Sequence, residues 1–121
     1  MELEKIMKFQ NWVVLGNTID ESKYAAKIKA KLIEIGKTVA CADKELESLN
    51  DANFEIDVID LCVNKFKGIK MLKEAKVPFK VVLIQPGAES PEIIEYLENN
   101  NIDYLLGCAL VGASLFYKKE D

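Results

Sequence analysis

The sequence predicts an α/β fold, a single Rossmann-like three-layer sandwich built on a five-stranded parallel sheet. Two observations carry that expectation. Short apolar runs alternate with segments of helical periodicity along the chain, and those runs are nearly continuous in apolar residues, as strands buried on both faces are. No repeat, linker or low-complexity tract divides the 121 residues, so one domain spanning 1–121 is expected.

Residues 2–10 read as a short amphipathic helix that offers Leu3, Ile6, Met7 and Phe9 to the core. Trp12-Val13-Val14-Leu15 reads as a buried strand ending at Gly16. Ala25, Ile28, Leu32 and Ile35 then recur on one face of a helix, which Gly36 is placed to end. Residues 38–41 form a second strand, 43–55 an irregular stretch and 56–63 a third strand. Phe66, Ile69, Leu72 and Ala75 mark a helix that stops before Val77-Pro78. Residues 81–84 are the fourth strand. Ser90 can cap the next helix, 91–99, and Pro91 suits its first turn, where a missing N–H costs nothing. Tyr104-Leu105-Leu106 is the fifth strand, and the apolar tail 109–117 is open between an edge strand, a last helix and a dimer surface. Two right-handed crossovers running outward from the first strand give an expected spatial order 3-2-1-4-5.

Composition narrows the chemistry. Half the residues are apolar, 30% are charged and the net charge is −4, which argues against general nucleic-acid binding. The lysines between Lys23 and Lys31 read as a solvated helix face. No apolar run is long enough to span a membrane and the charged start is not a signal peptide, so a cytoplasmic protein is expected. Three dispersed cysteines, Cys41, Cys62 and Cys108, make no disulfide framework. With no histidine in the chain, neither a zinc site nor a Ser-His-Asp triad is expected.

Candidate binding residues gather at the ends of strands, where ligands sit in open α/β sheets. Gly16-Asn17-Thr18 follows the first strand: the glycine lets backbone approach a ligand, Thr18 offers a hydroxyl, and the helix start favours a phosphate. A plain strand-to-helix turn stands beside that reading, because the dinucleotide fingerprint wants three glycines and positions 18 and 21 are Thr and Glu. Asp20 and Glu21 oppose an anion there, and Lys23 offsets them. The loop Gln85-Pro86-Gly87-Ala88-Glu89-Ser90 joins the fourth strand to its helix. Asp57 and Asp60 point to opposite faces of the third strand, and Asp60 is expected to accept backbone N–H groups of neighbouring loops. The three cysteines fall near the carboxyl ends of strands; Cys41 and Cys62 read as buried packing, and Cys108, after Gly107, as a thiol facing the site.

These pieces resemble the small stand-alone bacterial CoA-binding proteins, relatives of the CoA-binding domain of the succinyl-CoA synthetase alpha subunit. The likeness runs from about Trp12 to Gly112. Val13-Val14-Leu15-Gly16-Asn17-Thr18 resembles the family's first strand and Gly-x-Ser loop, and Ser22-Lys23-Tyr24 its serine–tyrosine element. Ile56-Asp57-Val58-Ile59-Asp60-Leu61 resembles the Val-Asp-Leu-Val-Asp-Ile strand. The 85–90 loop is its most specific element, and Cys108 falls at the family's cysteine after the fifth strand. Where the family usually carries Val-Asn-Pro beside the adenosine, this chain has Ala40-Cys41-Ala42-Asp43.

The resemblance implies a non-catalytic module for CoA or an acyl-CoA, held by Gly16, Asn17, Thr18, Ser22, Lys23, Gln85, Gly87 and Cys108; a homodimer through the apolar tail is a separate expectation. Two other readings stand beside it. One is a small NAD(P)-binding oxidoreductase-like protein in which Asp43 accepts the ribose hydroxyls. The other is a degenerate fold that binds no nucleotide and works through its apolar tail as an oligomeric interaction protein.

Overall fold

The computed structural model describes residues 1–117. The chain runs α1 (Leu3–Met7), β1 (Asn11–Gly16), α2 (Tyr24–Glu34), β2 (Thr38–Asp43), a 3₁₀ turn (Leu49–Asp51), β3 (Val58–Leu61), α3 (Lys65–Glu74), β4 (Val81–Ile84), α4 (Pro91–Asn99), β5 (Asp103–Leu106) and α5 (Ala109–Phe116). All five strands are parallel, in the order β2-β1-β3-β4-β5. The parallel sheet is the one expected, but the expected order 3-2-1-4-5 is wrong. β3 crosses back over β1 and pairs on its other side, Trp12 beside Val58 and Leu15 beside Leu61. Burial explains the choice. All four residues of β3 are buried, as suits a central strand, whereas β2 begins exposed at Thr38 and stays partly open, as suits an edge.

Two apolar layers flank the sheet. Trp12, Val14, Val58, Val81 and Leu83 face α1, α2 and α5, while Val13, Leu15, Ile59, Val82 and Ile84 face α3, α4 and the 3₁₀ turn. The alternation follows from side chains pointing to opposite faces along each strand. Each fully buried Val, Leu or Ile contributes about 1.5–3 kcal/mol. The helices follow local signals. Ala25, Ile28 and Leu32 bury one stripe of α2, which ends where Lys37 N–H bonds Leu32 O at 2.9 Å. Asn64 caps α3 by accepting from the N–H groups of Phe66 and Lys67, and Ser90 caps α4 by accepting from Ile93 N–H. In α3 the buried face is Gly68, Met71 and Leu72, so Phe66, expected inward, is 75% exposed. The tail resolves as a helix: α5 lies across α1 and α2.

Strand order sets the position of the site. The chain leaves β1 with α2 on one face to reach β2, then returns to β3 and continues with α3 and α4 on the other face. Connections therefore diverge between the carboxyl ends of β1 and β3, and the crevice such a divergence opens is where doubly wound sheets hold ligands. The expected order would have put that crevice between β1 and β4.

Candidate functional site

At the switch point Gly16 ends β1 and Cys62 follows β3, with Cys62 N–H bonded to Leu15 O at 2.8 Å. A Cβ on Gly16 would stand 2.7 Å from Ala25 Cβ and 3.0 Å from Cys62 Cβ. Glycine is therefore required for the close packing of β1, α2 and β3, a reason that sits beside ligand approach. Outside these strand ends lies a cleft of about 480 Å3. Cys62, Val63 and Asn64 form its wall on the β3 side, and Gln85, Pro86, Gly87 and Ala88 its wall on the β4 side. Tyr24, the first residue of α2, and Cys108, the N-cap of α5, complete it. Gly87 takes φ +95 in a turn closed by Ala88 N–H to Gln85 O at 2.9 Å, a conformation that favours glycine.

Beneath the cleft is a carboxyl whose two hydrogen-bond partners are both uncharged. Asp60 is fully buried, and it accepts from the Gln85 amide and, at 3.0 Å, from the Cys62 thiol. Burial pushes its pKa up to about 6, against the pull of those two hydrogen bonds. The expectation that Asp60 accepts backbone N–H groups is corrected: its donors are side chains of the cleft wall. Cys62 is in turn pushed far above the ordinary thiol range, first by burial and then by the Asp60 charge. Cys41 lies buried within β2, and burial raises it to about 11.

The loop after β1 is folded on itself. Asn17 Oδ1 accepts from the N–H groups of Ile19 and Asp20 at 3.2 and 3.1 Å, and Ser22 gives both its N–H and its hydroxyl to Asp20. Thr18, buried, gives its hydroxyl to Glu45. Lys23 is the N-cap of α2, and no side chain caps that helix. Of the residues singled out in the sequence, Gln85, Gly87 and Cys108 thus come together on the cleft. Gly16 packs behind Cys62 and Lys23 precedes Tyr24, each next to a residue of the lining, and Asn17, Thr18 and Ser22 turn toward partners within the loop and toward β2. Sequence reasoning passed over Tyr24, Asn64 and the Asp60–Cys62 pair as site residues. The signal for Cys62 was its place near the carboxyl end of the third strand, which has meaning only once β3 is known to lie beside β1.

Asp43 closes β2 with φ +99, a left-handed conformation that costs a residue other than glycine on the order of 1–3 kcal/mol. Its carboxylate meets Lys67 at 3.1 Å. A wider groove of about 580 Å3 between α2 and α5 lies away from the strand ends; in it Lys31 pairs with Glu34, and Tyr117 bonds Met7 O and Lys37. Among the described residues no cluster of His, Cys, Asp or Glu is arranged to hold a metal, and no helix is long and apolar enough to cross a membrane.

The donor set suits CoA, the ligand implied by the sequence resemblance. α2 and α5 both present N-termini without a side-chain cap, neither has an acidic residue in its first turn, and both border the cleft.

Comparison with known proteins bears on the fold and the family. A conserved hypothetical protein from Pyrococcus furiosus is similar at 29% identity, over 85% of this chain and 98% of its own, with a TM-score of 0.75. A structure from Thermus thermophilus shares the fold at a TM-score of 0.84 and 18% identity, covering 97% of this chain and all of its own. Prb, a protein redesigned for binding, does so at 0.83 and 18%, covering 99% of this chain and 95% of its own. No curated protein matches. The family model described as a CoA binding domain matches residues 10–114, most of the sequence, and the chain belongs to the CoA binding domain family.

Proposed function

We propose that the chain, 1–121, is one cytoplasmic binding module that holds CoA or an acyl-CoA and carries out no reaction on it. The observation behind this reading is the cleft bordered by two uncapped helix N-termini. Unpaired N–H groups at a helix start, with the positive end of the helix dipole, favour a phosphate. The α2 N-terminus with Lys23 takes the diphosphate, and Gly16, Asn17, Thr18 and Ser22 form the loop around it. The pantetheine arm runs along Gln85 and Gly87, and the thiol or thioester end lies toward Cys108. The NAD reading has less support, since Asp43 faces Lys67. The exposed Val111, Leu115 and Phe116 on α5 suit self-association as a homodimer.

Capping tests this reading. Lys23→Asp supplies a side chain that satisfies the free N–H groups of α2, so stability should rise by about 1 kcal/mol while CoA affinity falls by more than about tenfold. Lys23→Ala, which removes the charge and adds no cap, should weaken CoA less. Calorimetric titration of both variants with CoA, acetyl-CoA and NAD reads the outcome. Lys23→Asp that binds CoA as tightly as Lys23→Ala would remove the diphosphate from α2, and no binding of CoA by the unmodified chain would end the reading.

A further inference from the structure

On the flank of α2 away from the cleft, three segments converge on one carboxylate. Glu45 lies in the turn after β2, Thr18 in the loop after β1 and Lys29 in the second turn of α2. The Thr18 hydroxyl donates to Glu45, and Lys29 Nζ stands 2.9 and 3.1 Å from the two carboxylate oxygens. One hydroxyl and one ammonium aimed at a single point recognise an oxyanion, and here the chain supplies its own. Thr18 is buried, whereas the Glu45 side chain is 36% exposed and can swing into water without burying its charge. The turn that carries it need not open: Asp43 N–H bonds Leu46 O at 2.8 Å and Leu46 N–H bonds Cys41 O at 2.9 Å. Space is present on both sides. A hollow of about 380 Å3 runs from Lys29 and Glu45 to Asp51 and Asn53, and another of about 400 Å3 joins Thr18 and Lys29 along α2.

We propose that Thr18 and Lys29 form a phosphate-monoester subsite that Glu45 fills until a ligand phosphate displaces it. The source of that phosphate rests on the CoA reading. A diphosphate at the α2 N-terminus, with the pantetheine arm in the cleft, leaves the nucleoside end on the β2 side, and CoA carries a 3′-phosphate there that dephospho-CoA lacks. Glu45 is then a specificity-determining residue. It sets how much a ligand gains from the extra phosphate, because that phosphate must compete with a carboxylate for Lys29. Glu21 and Asp51, which line the two hollows, add to the repulsion, and Lys27 beside Thr18 offsets it.

The test is calorimetric titration of the full chain and of Glu45→Gln and Lys29→Gln with CoA and with dephospho-CoA. Glu45→Gln should tighten CoA by about fivefold, the scale of one exposed ion pair, and leave dephospho-CoA within about twofold. Lys29→Gln should weaken CoA alone. Equal shifts for both ligands, or no shift for either, would overturn the subsite. Should neither nucleotide bind any form, the CoA reading fails and inorganic phosphate becomes the probe. Phosphate that raises the melting temperature of Glu45→Gln but not of Glu45→Gln/Lys29→Gln supports the subsite, and equal responses overturn it.

Discussion

Asp57 and Asp60 sit three residues apart at one strand of the sheet, and the fold treats them in opposite ways. Asp57, just before β3, accepts from Asn11 N–H at 2.9 Å and meets Lys80 Nζ at 2.9 Å. Burial works against its charge but is outweighed by those partners, so its pKa lies below the ordinary carboxylate value. Asp60 has a thiol and an amide for partners, lies fully buried, and is raised to about 6. The amino edge of the sheet is thus closed by polar groups that satisfy one another. At the carboxyl edge, a buried carboxyl with its pKa raised to about 6 lies under a cleft with two uncapped helix ends. A fold that cared only for stability would have no reason for the second arrangement, and perturbed groups of this kind gather where ligands bind.

The largest effect is expected from closing the carboxyl edge by force. Gly16→Val places a branched side chain against Ala25 and Cys62, and overpacking there should cost about 3 kcal/mol of stability. Urea unfolding measures it. Wild-type stability with lost ligand binding would instead make Gly16 a ligand contact alone, and the edge would be looser than the geometry indicates.

Next in size is the pH response of Asp60. A carboxyl raised from 3.8 to about 6 on folding stabilises the protein while protonated, and that contribution disappears as pH rises through about 6. Asp60→Asn has no such titration, so between pH 4 and pH 7 it should gain on the wild type by on the order of 3 kcal/mol. Asp57 gives the opposite sign. Its lowered pKa stabilises the fold above about pH 4 and is lost on acidification, so Asp57→Asn should cost about 1 kcal/mol at pH 7 and nothing in strong acid. Stability curves that run parallel for both variants would erase the contrast between the two edges.

Much of the fold was legible because its signals are local. β4 and α4 have the bounds expected of them, since an unbroken apolar run and the Ser90-Pro91 start leave little choice. Strand order was not legible: which side of β1 receives β3 depends on how whole strands share burial, and no single residue reports it. Phe66 shows the same limit on a smaller scale. Its spacing fits the apolar stripe, but Gly68 lets α3 approach Leu61 and Ile93 closely, which turns Phe66 outward. At the site, the sequence pointed to Gly16, Gln85, Gly87 and Cys108 because loops after strands announce themselves. It concealed Asp60, whose surroundings come from β3, β4 and the residue after β3 together, and it concealed the Glu45 contact, which joins positions 18, 29 and 45 across three elements.

The smallest effect is a difference in thiol labelling rates, and it probes the Asp60 side of the contrast most directly. Cys108 is half-buried on the cleft, Cys41 is buried and raised to about 11, and Cys62 is held as a thiol by burial and by the neighbouring Asp60 charge. Since the thiolate is the reactive form, a maleimide at pH 8 should modify Cys108 first and the other two slowly. Asp60→Asn removes a charge that repels the Cys62 thiolate, so Cys62 should then react several-fold faster while Cys108 keeps its rate. Asp57→Asn, at the far edge, should leave Cys62 unchanged. Mass spectrometry of digests taken over time separates the three sites. Acceleration of Cys62 by either variant alike would mean that general loosening, and not the Asp60 carboxylate, governs that thiol, and the difference between the two aspartates would no longer account for the chemistry of the cleft.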